Sequence, residues 1–292
     1  MPTRAEKHAK GYVETTGHEW DGIQELNNPL PRWWLYILYA TIAISVLYYV
    51  LYPAIPGITG HTKGTLGYDA RLVVEERIAA ARAAQRQYLD RIAVAEVDEI
   101  RGDAELLNFA LAGGGSAFAD NCAPCHGAGA TGGPGYPSLA DDAWLWGGTT
   151  EAIHETLLYG VRWEANEDTR FSEMPAFGAD ELLTREEIAA TTTYVLSLSG
   201  AEDGGDTMQL AVGSNIYAEN CVACHGEQGE GIQELGAPRL NDQVWLYGGT
   251  REEIETQLHR ARHGVMPAWV GRLDDNTIKM LTVYVHSLGG GE

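Results

Sequence analysis

The chain has 292 residues, 45% of them hydrophobic and 21% charged, with a formal net charge of −21. Four basic residues (Arg4, Lys7, Lys10, Arg32) and five acids (Glu6, Glu14, Glu19, Asp21, Glu25) precede residue 54, so 16 of the 20 Lys/Arg and 36 of the 41 Asp/Glu lie beyond it. Such acidity excludes a surface built to bind nucleic-acid phosphates, which attract clustered Lys and Arg; it suits a soluble region that steers a basic partner, and it also serves solubility.

In chain order, residues 1–32 form a polar N-terminal tail ending in "NNPLPR", too rich in Pro and Asn for a helix. Residues 33–52, "WWLYILYATIAISVLYYVLY", then run without a charge between Pro31 and Pro53. A 20-residue helix rises about 30 Å, the thickness of a bilayer's hydrocarbon core. Trp33, Trp34 and Tyr36 at one end and Tyr48, Tyr49 and Tyr52 at the other match interfacial aromatic belts. A cleaved signal peptide would have a shorter apolar region nearer the start and a small-residue cleavage site, which "PAIPG" is not. The segment is therefore expected to stay as an anchor. Arg4, Lys7, Lys10 and Arg32 on its N-terminal side, with Lys63 and Arg71 the first bases beyond it, mildly favour a cytoplasmic N-terminus. Residues 53–111 are expected to form an exposed loop, "AIPGITGHTKGTLGYD", and then a helical spacer over residues 70–100, with "AGGGS" at 112–116 breaking it.

The rest of the chain is an internal repeat. "NCAPCHG…SLADDAWLWGGTTEAI" at 121–153 returns as "NCVACHG…RLNDQVWLYGGTREEI" at 220–254. Each copy continues into Met-Pro-Ala-aromatic, "MPAF" at 174–177 and "MPAW" at 266–269. Each ends in an apolar helical face: Ile188, Thr192, Val195 and Leu198 in one, Ile278, Leu281, Val285 and Leu288 in the other. Thr184-x-x-Glu187 and Thr250-x-x-Glu253 have the form of capping boxes. The expected fold is mainly α: one transmembrane helix, a spacer, and two tandem small helical domains over 112–200 and 207–292, with "SGAEDGGD" at 199–206 between them.

All four cysteines sit in the twin motifs. A disulfide framework would leave His126 and His225 unexplained. A zinc ribbon needs its pairs about 15–20 residues apart, and a thioredoxin-like dithiol needs a βαβ context. Cys-x-x-Cys-His is the attachment signature of c-type haem. Cys122 and Cys125, and likewise Cys221 and Cys224, would add to the vinyl groups of one porphyrin, with His126 or His225 behind them as iron ligand. Two haems c are expected, and the domains are cytochrome c-like. Because covalent attachment takes place on the outer side of the bacterial membrane, both repeats should be periplasmic.

The second axial position decides what each haem does. A thioether closes it and raises the potential, whereas an open position admits gas or peroxide. Met174 and Met266 occupy equivalent places, each before a proline that biases it to extended backbone, as in a strap over a haem face. Each Met most simply serves its own repeat, although an exchange between repeats is compatible with the spacing. Cys122 to Met174 spans 52 residues and Cys221 to Met266 spans 45, so the first repeat carries an insertion within "RWEANEDTRFSE". Met208 and Met280 are expected to fill cores. His154, His259 and His263 are expected at the surface or a haem edge, and His8, His18, His61 and His286 fit no ligand spacing.

One N-terminal anchor preceded by "DGIQELNNPLPRWW", followed by two "NC-x-x-CHG…MP" repeats, resembles the dihaem CcoP/FixP subunit family of cbb3-type cytochrome c oxidase over nearly the whole chain. The resemblance implies an electron-transfer subunit rather than an enzyme in its own right. It would be fed by a soluble cytochrome c or similar donor. Its partners would be a monohaem cytochrome c subunit and a haem–copper catalytic subunit that reduces oxygen and pumps protons. It also implies an inner-membrane location with covalent tethers at Cys122, Cys125, Cys221 and Cys224 and iron ligands at His126, His225, Met174 and Met266. A free-standing tethered dihaem carrier and a dihaem peroxidase are the alternatives.

Overall fold

A computed structural model describes residues 14–201 and 207–290. The chain separates into two compact units, residues 1–83 and 84–292. His8 and most of "SGAEDGGD" lie outside the described residues.

The first unit opens with a feature absent from the expectations. Within the polar tail, strands β1 (Thr15–Trp20) and β2 (Ile23–Leu26) form an antiparallel hairpin. Its turn, Asp21-Gly22, has positive φ at both residues, 49° and 84°. Asp-Gly between strand formers is a hairpin signal for that reason. Helix α1 (Arg32–Leu51) comes next, begins at Pro31 and buries none of its residues within the chain. It is long and apolar enough to cross a membrane. The loop after it folds back over its C-terminus: Thr65 N–H donates to Val50 O at 2.9 Å and Leu66 N–H to Leu51 O at 3.1 Å. Two carbonyls that a helix end leaves without intrahelical partners are thereby satisfied.

Helix α2 spans Ala70–Val94. Its C-terminal part packs Ile92 into a buried cluster with Ile100, Leu106, Ala110, Met280 and Val283. The Lys279 ammonium reaches the carbonyls of Ile92, Ala93 and Ala95 at 3.2, 3.2 and 2.7 Å, a cation placed where the helix dipole favours one. Short α3 (Val97–Gly102) has a capping box formed by Glu96 and Glu99. Helix α4 (Ala104–Asn121) is capped by Asp103, whose carboxylate accepts from the Glu105 and Leu106 amides.

Helix α4 overturns the expected break at "AGGGS". Residues 112–116 lie inside it, because the glycines are a packing device rather than a stop. A Cβ on Gly114 would stand 2.3 Å from Met280 O and 2.7 Å from the Tyr284 Cβ. The chain at this point crosses helix α11 (Asp275–His286), and only glycine admits that approach.

The other helices are α5 (Ala123–His126), α6 (Thr150–Tyr159), α7 (Arg185–Leu198), α8 (Thr207–Asn220), α9 (Val222–His225) and α10 (Arg251–His259). Both expected capping boxes are formed, at the starts of α7 and α10. The tandem order of the sequence does not carry over into packing. Helix α4 packs on α11 from the end of the chain, and α8 packs on α7 from the first repeat. The two crossings are equivalent: Gly213 of α8 would meet Ala190 O at 2.0 Å and the Tyr194 Cβ at 3.0 Å if given a Cβ. Phe118 lies against Tyr284 with tilted rings, centroids 5.4 Å apart, and Tyr217 against Tyr194 in the same way at 5.1 Å. One helical core therefore comprises residues 104–160 and 264–288, and the other the continuous stretch 172–260, inserted between them.

Candidate haem sites

Both motifs are built alike from the helix that precedes them. Helix α4 ends as Cys122 N–H donates to Phe118 O at 2.8 Å, and one further turn returns the amides of Cys125 and His126 to Cys122 O at 3.1 and 2.9 Å. In the second copy, Cys221 N–H donates to Tyr217 O at 2.8 Å, and the Cys224 and His225 amides return to Cys221 O at 3.1 and 2.9 Å. One helical turn brings residues i and i+3 to the same side, so two thiols face together with the imidazole next to them. The first thiol of each pair is buried and the second exposed. Burial, and then the neighbouring cysteine, push the Cys122 and Cys221 thiols up to about 11, so they stand as neutral thiols.

The imidazoles are oriented from one side. His126 Nδ1 lies 3.0 Å from Pro137 O and His225 Nδ1 2.9 Å from Pro238 O. A carbonyl can only accept, so Nδ1 carries the proton and Nε2 keeps its lone pair for a metal. Burial lowers the pKa of both imidazoles, against the smaller opposing effect of that hydrogen bond, and favours the neutral ligand form.

The methionines lie on the side opposite to the simplest expectation. Met174 packs on the buried cluster of Phe177, Val195, Tyr217 and Cys221, and lines the same cavity as Cys224 and His225. Met266 packs on the cluster of Phe118, Cys122, Ile153 and Leu157. Each repeat thus sends its methionine to the other repeat's cysteine motif. The landing points explain this. The strap after Met266 donates from Trp269 and Val270 to Leu157 O and Leu158 O at the end of α6, at 2.9 and 3.3 Å. The strap after Met174 donates from Gly178 and Ala179 to Leu258 O and His259 O at the end of α10, at 3.3 and 2.9 Å. Both straps satisfy the last-turn carbonyls that a helix leaves open.

A cavity of about 200 Å³ that opens to solvent is lined by Met174, Cys224 and His225. Its walls are largely apolar, including Leu240, Val244 and Trp245, while Arg162, Arg239 and Arg262 bring positive charge into an otherwise acidic chain. A large flat apolar group with acidic edges and a metal fits this donor set: two thiols, one imidazole with a free Nε2, and one thioether.

The remaining sequence expectations are met unevenly. His263 lines the cavity, and its Nε2 accepts from the Met174 amide at 3.0 Å. His154 is half-buried on α6, and His18 and His61 are exposed. Met280 is buried as expected, but Met208 is 75% exposed at the start of α8 and fills no core. Sequence reasoning missed Arg162, which had no motif to mark it, and Gly160. Gly160 ends α6 at φ 73°, and a Cβ there would stand 2.4 Å from Met266 O.

Three family models match along the chain. The N-terminal domain of cytochrome oxidase-cbb3, FixP, matches residues 12–59; cytochrome c matches 111–199; and cytochrome C oxidase, cbb3-type, subunit III matches 209–285. The chain is 52% identical over 289 residues to the cbb3-type cytochrome c oxidase subunit CcoP of Azospirillum sp. (strain B510), covering 96% of each. It is 50% identical over 280 residues to subunit FixP of Rhizobium meliloti (strain 1021), again covering 96% of each, and 45% identical over 292 residues to subunit CcoP of Cereibacter sphaeroides, covering all of both. The likeness to these relatives runs over nearly the whole length of each chain: the chain belongs to the CcoP/FixP family of cbb3-type cytochrome c oxidase subunits.

Proposed function

We propose that this chain is a dihaem relay, taking electrons from a soluble cytochrome c or similar donor. It passes them through a monohaem subunit to the haem–copper subunit of the oxidase. The observation that carries the reading is the duplicated arrangement of a one-turn Cys-x-x-Cys-His motif, an imidazole tethered through Nδ1, and a methionine facing it from the other repeat. Cys122 and Cys125 would tether the first haem, with His126 and Met266 toward its iron. Cys221 and Cys224 would tether the second, with His225 and Met174. Haem iron supplies one-electron cycling between ferrous and ferric states.

The protein's part is to hold the redox centre still and dry. The proline carbonyls fix the imidazole tautomer, the apolar clusters exclude water, and a thioether at each site leaves no position for peroxide. Helix α1 anchors the chain, with the N-terminus cytoplasmic and both cores periplasmic. Purification of the complex from membranes tests the reading. Two covalent haems in this chain, together with a monohaem subunit, haem b and copper, are expected. Isolation as a lone dihaem protein would favour a free tethered carrier, and a high-spin haem with peroxide turnover would favour a peroxidase.

A further inference from the structure

The two straps cross on their way to opposite cores, and the crossing is held by a small set of bonds. Val161 and Met266 exchange both backbone hydrogen bonds, Val161 N–H to Met266 O at 2.9 Å and Met266 N–H to Val161 O at 3.0 Å. Arg162, the next residue, forks its guanidinium between the straps: Nε donates to Gly264 O at 2.7 Å and Nη1 to Ser172 O at 2.8 Å. Gly264 lies two residues before Met266, and Ser172 two before Met174. From the other side, His263 on the Met266 strap accepts the Met174 amide at Nε2.

Two further observations set this junction apart. The offset of 101 that aligns Thr149 with Thr250 and Ile153 with Ile254 also aligns Arg162 with His263, so equivalent positions of the two repeats each grip the other's strap. Arg162 also has φ 52°, a left-handed conformation that non-glycine residues seldom adopt. Such outliers persist where the surrounding structure over-determines them. Arg suits the place because its rigid fork offers several donors in fixed directions. A carbonyl needs donors, and the Met174 amide needs an acceptor; Arg162 and His263 supply one of each.

We propose that Arg162 and His263 are positioning residues that couple the two methionine seats, so that the hold on each thioether depends on the opposite strap. The inference rests on the assignment of Met174 and Met266 as iron ligands. A neutral thioether is a weak ligand, and its occupancy depends on how firmly the strap holds it. One side chain that grips both straps gives the two haems a shared determinant of potential, and ties the two cores at the same point.

The test uses the full-length haem-loaded chain in detergent, titrated with imidazole while the near-infrared band of thioether-bound ferric haem is followed. A Met266→His background leaves a displaceable thioether at the second haem alone, and Met174→His leaves one at the first. Arg162→Gln is expected to tighten imidazole binding about tenfold in both backgrounds, the scale of losing a charge-assisted hydrogen bond. His263→Ala is expected to act on the second haem, across the junction, with His263→Gln restoring the wild-type titration by offering an acceptor. If Arg162→Gln does not retain both haems, Arg162→Lys, which keeps the charge and the reach to one carbonyl, is expected to give a smaller shift at both. An Arg162 effect confined to one haem, no effect at either, or a His263→Ala effect confined to the haem that Met266 faces would overturn the coupling. A thioether band that survives at both haems in both Met→His backgrounds would instead sink the ligand assignment itself.

Discussion

At the scale of single residues, each candidate site depends on groups outside the Cys, His and Met set. The carbonyls of Pro137 and Pro238 decide which imidazole nitrogen keeps a lone pair free for a metal. Gly160 decides how closely the Met266 strap can approach α6, since its positive φ and the nearby Met266 carbonyl both exclude a side chain. Gly160→Ala is therefore expected to cost at least the roughly 1–2 kcal/mol of a left-handed alanine. It should also loosen the thioether of Met266, while the equivalent contacts at Met174 stay intact. Denaturant unfolding measures the first effect and the near-infrared band the second; full stability with an unaltered band would contradict the role. The Cys-x-x-Cys-His and Met-Pro groups that the structure brings together stand out in the sequence, because they carry their chemistry in their spacing. Arg162 does not, because its role comes from carbonyls 10 and 102 residues away in the chain and is visible only in three dimensions.

At the scale of elements, the capping boxes and apolar faces of α7, α10 and α11 are readable from local pattern, since their causes lie within one or two turns. Two elements are not. The polar tail around the hairpin hides it, although Asp21-Gly22 is a usable signal. The glycines of "AGGGS" suggest a helix break by propensity, yet in α4 they make room for another helix, a cause that lies over 160 residues away at Met280 and Tyr284. Gly114→Ala or Gly213→Ala should accordingly destabilise by about 1–3 kcal/mol through overpacking at the crossing. The loss should outweigh the roughly 0.5–1 kcal/mol that alanine gains in a helix. Stabilisation by either variant in thermal unfolding would refute the crossing. The capping boxes predict a pH effect. Backbone and then side-chain hydrogen bonds from Thr184 and Thr250 hold the Glu187 and Glu253 carboxyls below their ordinary value of 4.5. Their contribution is present above that pH and is lost as pH falls through the lowered values. A Glu187→Gln, Glu253→Gln chain should therefore show a shallower acid limb of stability below pH 4.5 than the wild type.

At the scale of the whole molecule, the exchange of straps turns two sequence repeats into one interlocked body of 84–290. One core is a circularly rearranged stretch inserted into the other. Spacing within a repeat is nearly the same whether its methionine stays or crosses, which is why sequence alone does not decide the pairing. The charge of −21 belongs to this scale too. Turnover with a basic soluble cytochrome c should fall steeply as ionic strength rises, because screening shortens the reach of acidic steering; a flat response would remove acidic steering as its cause. The strap exchange is tested most directly by a density map of the purified oxidase complex that resolves the axial sulfur at each haem of this subunit. The exchange predicts Met174 sulfur on the iron of the haem tethered by Cys221 and Cys224, and Met266 sulfur on that tethered by Cys122 and Cys125. Methionines ligating within their own repeats, or any ligand other than these two, would contradict it.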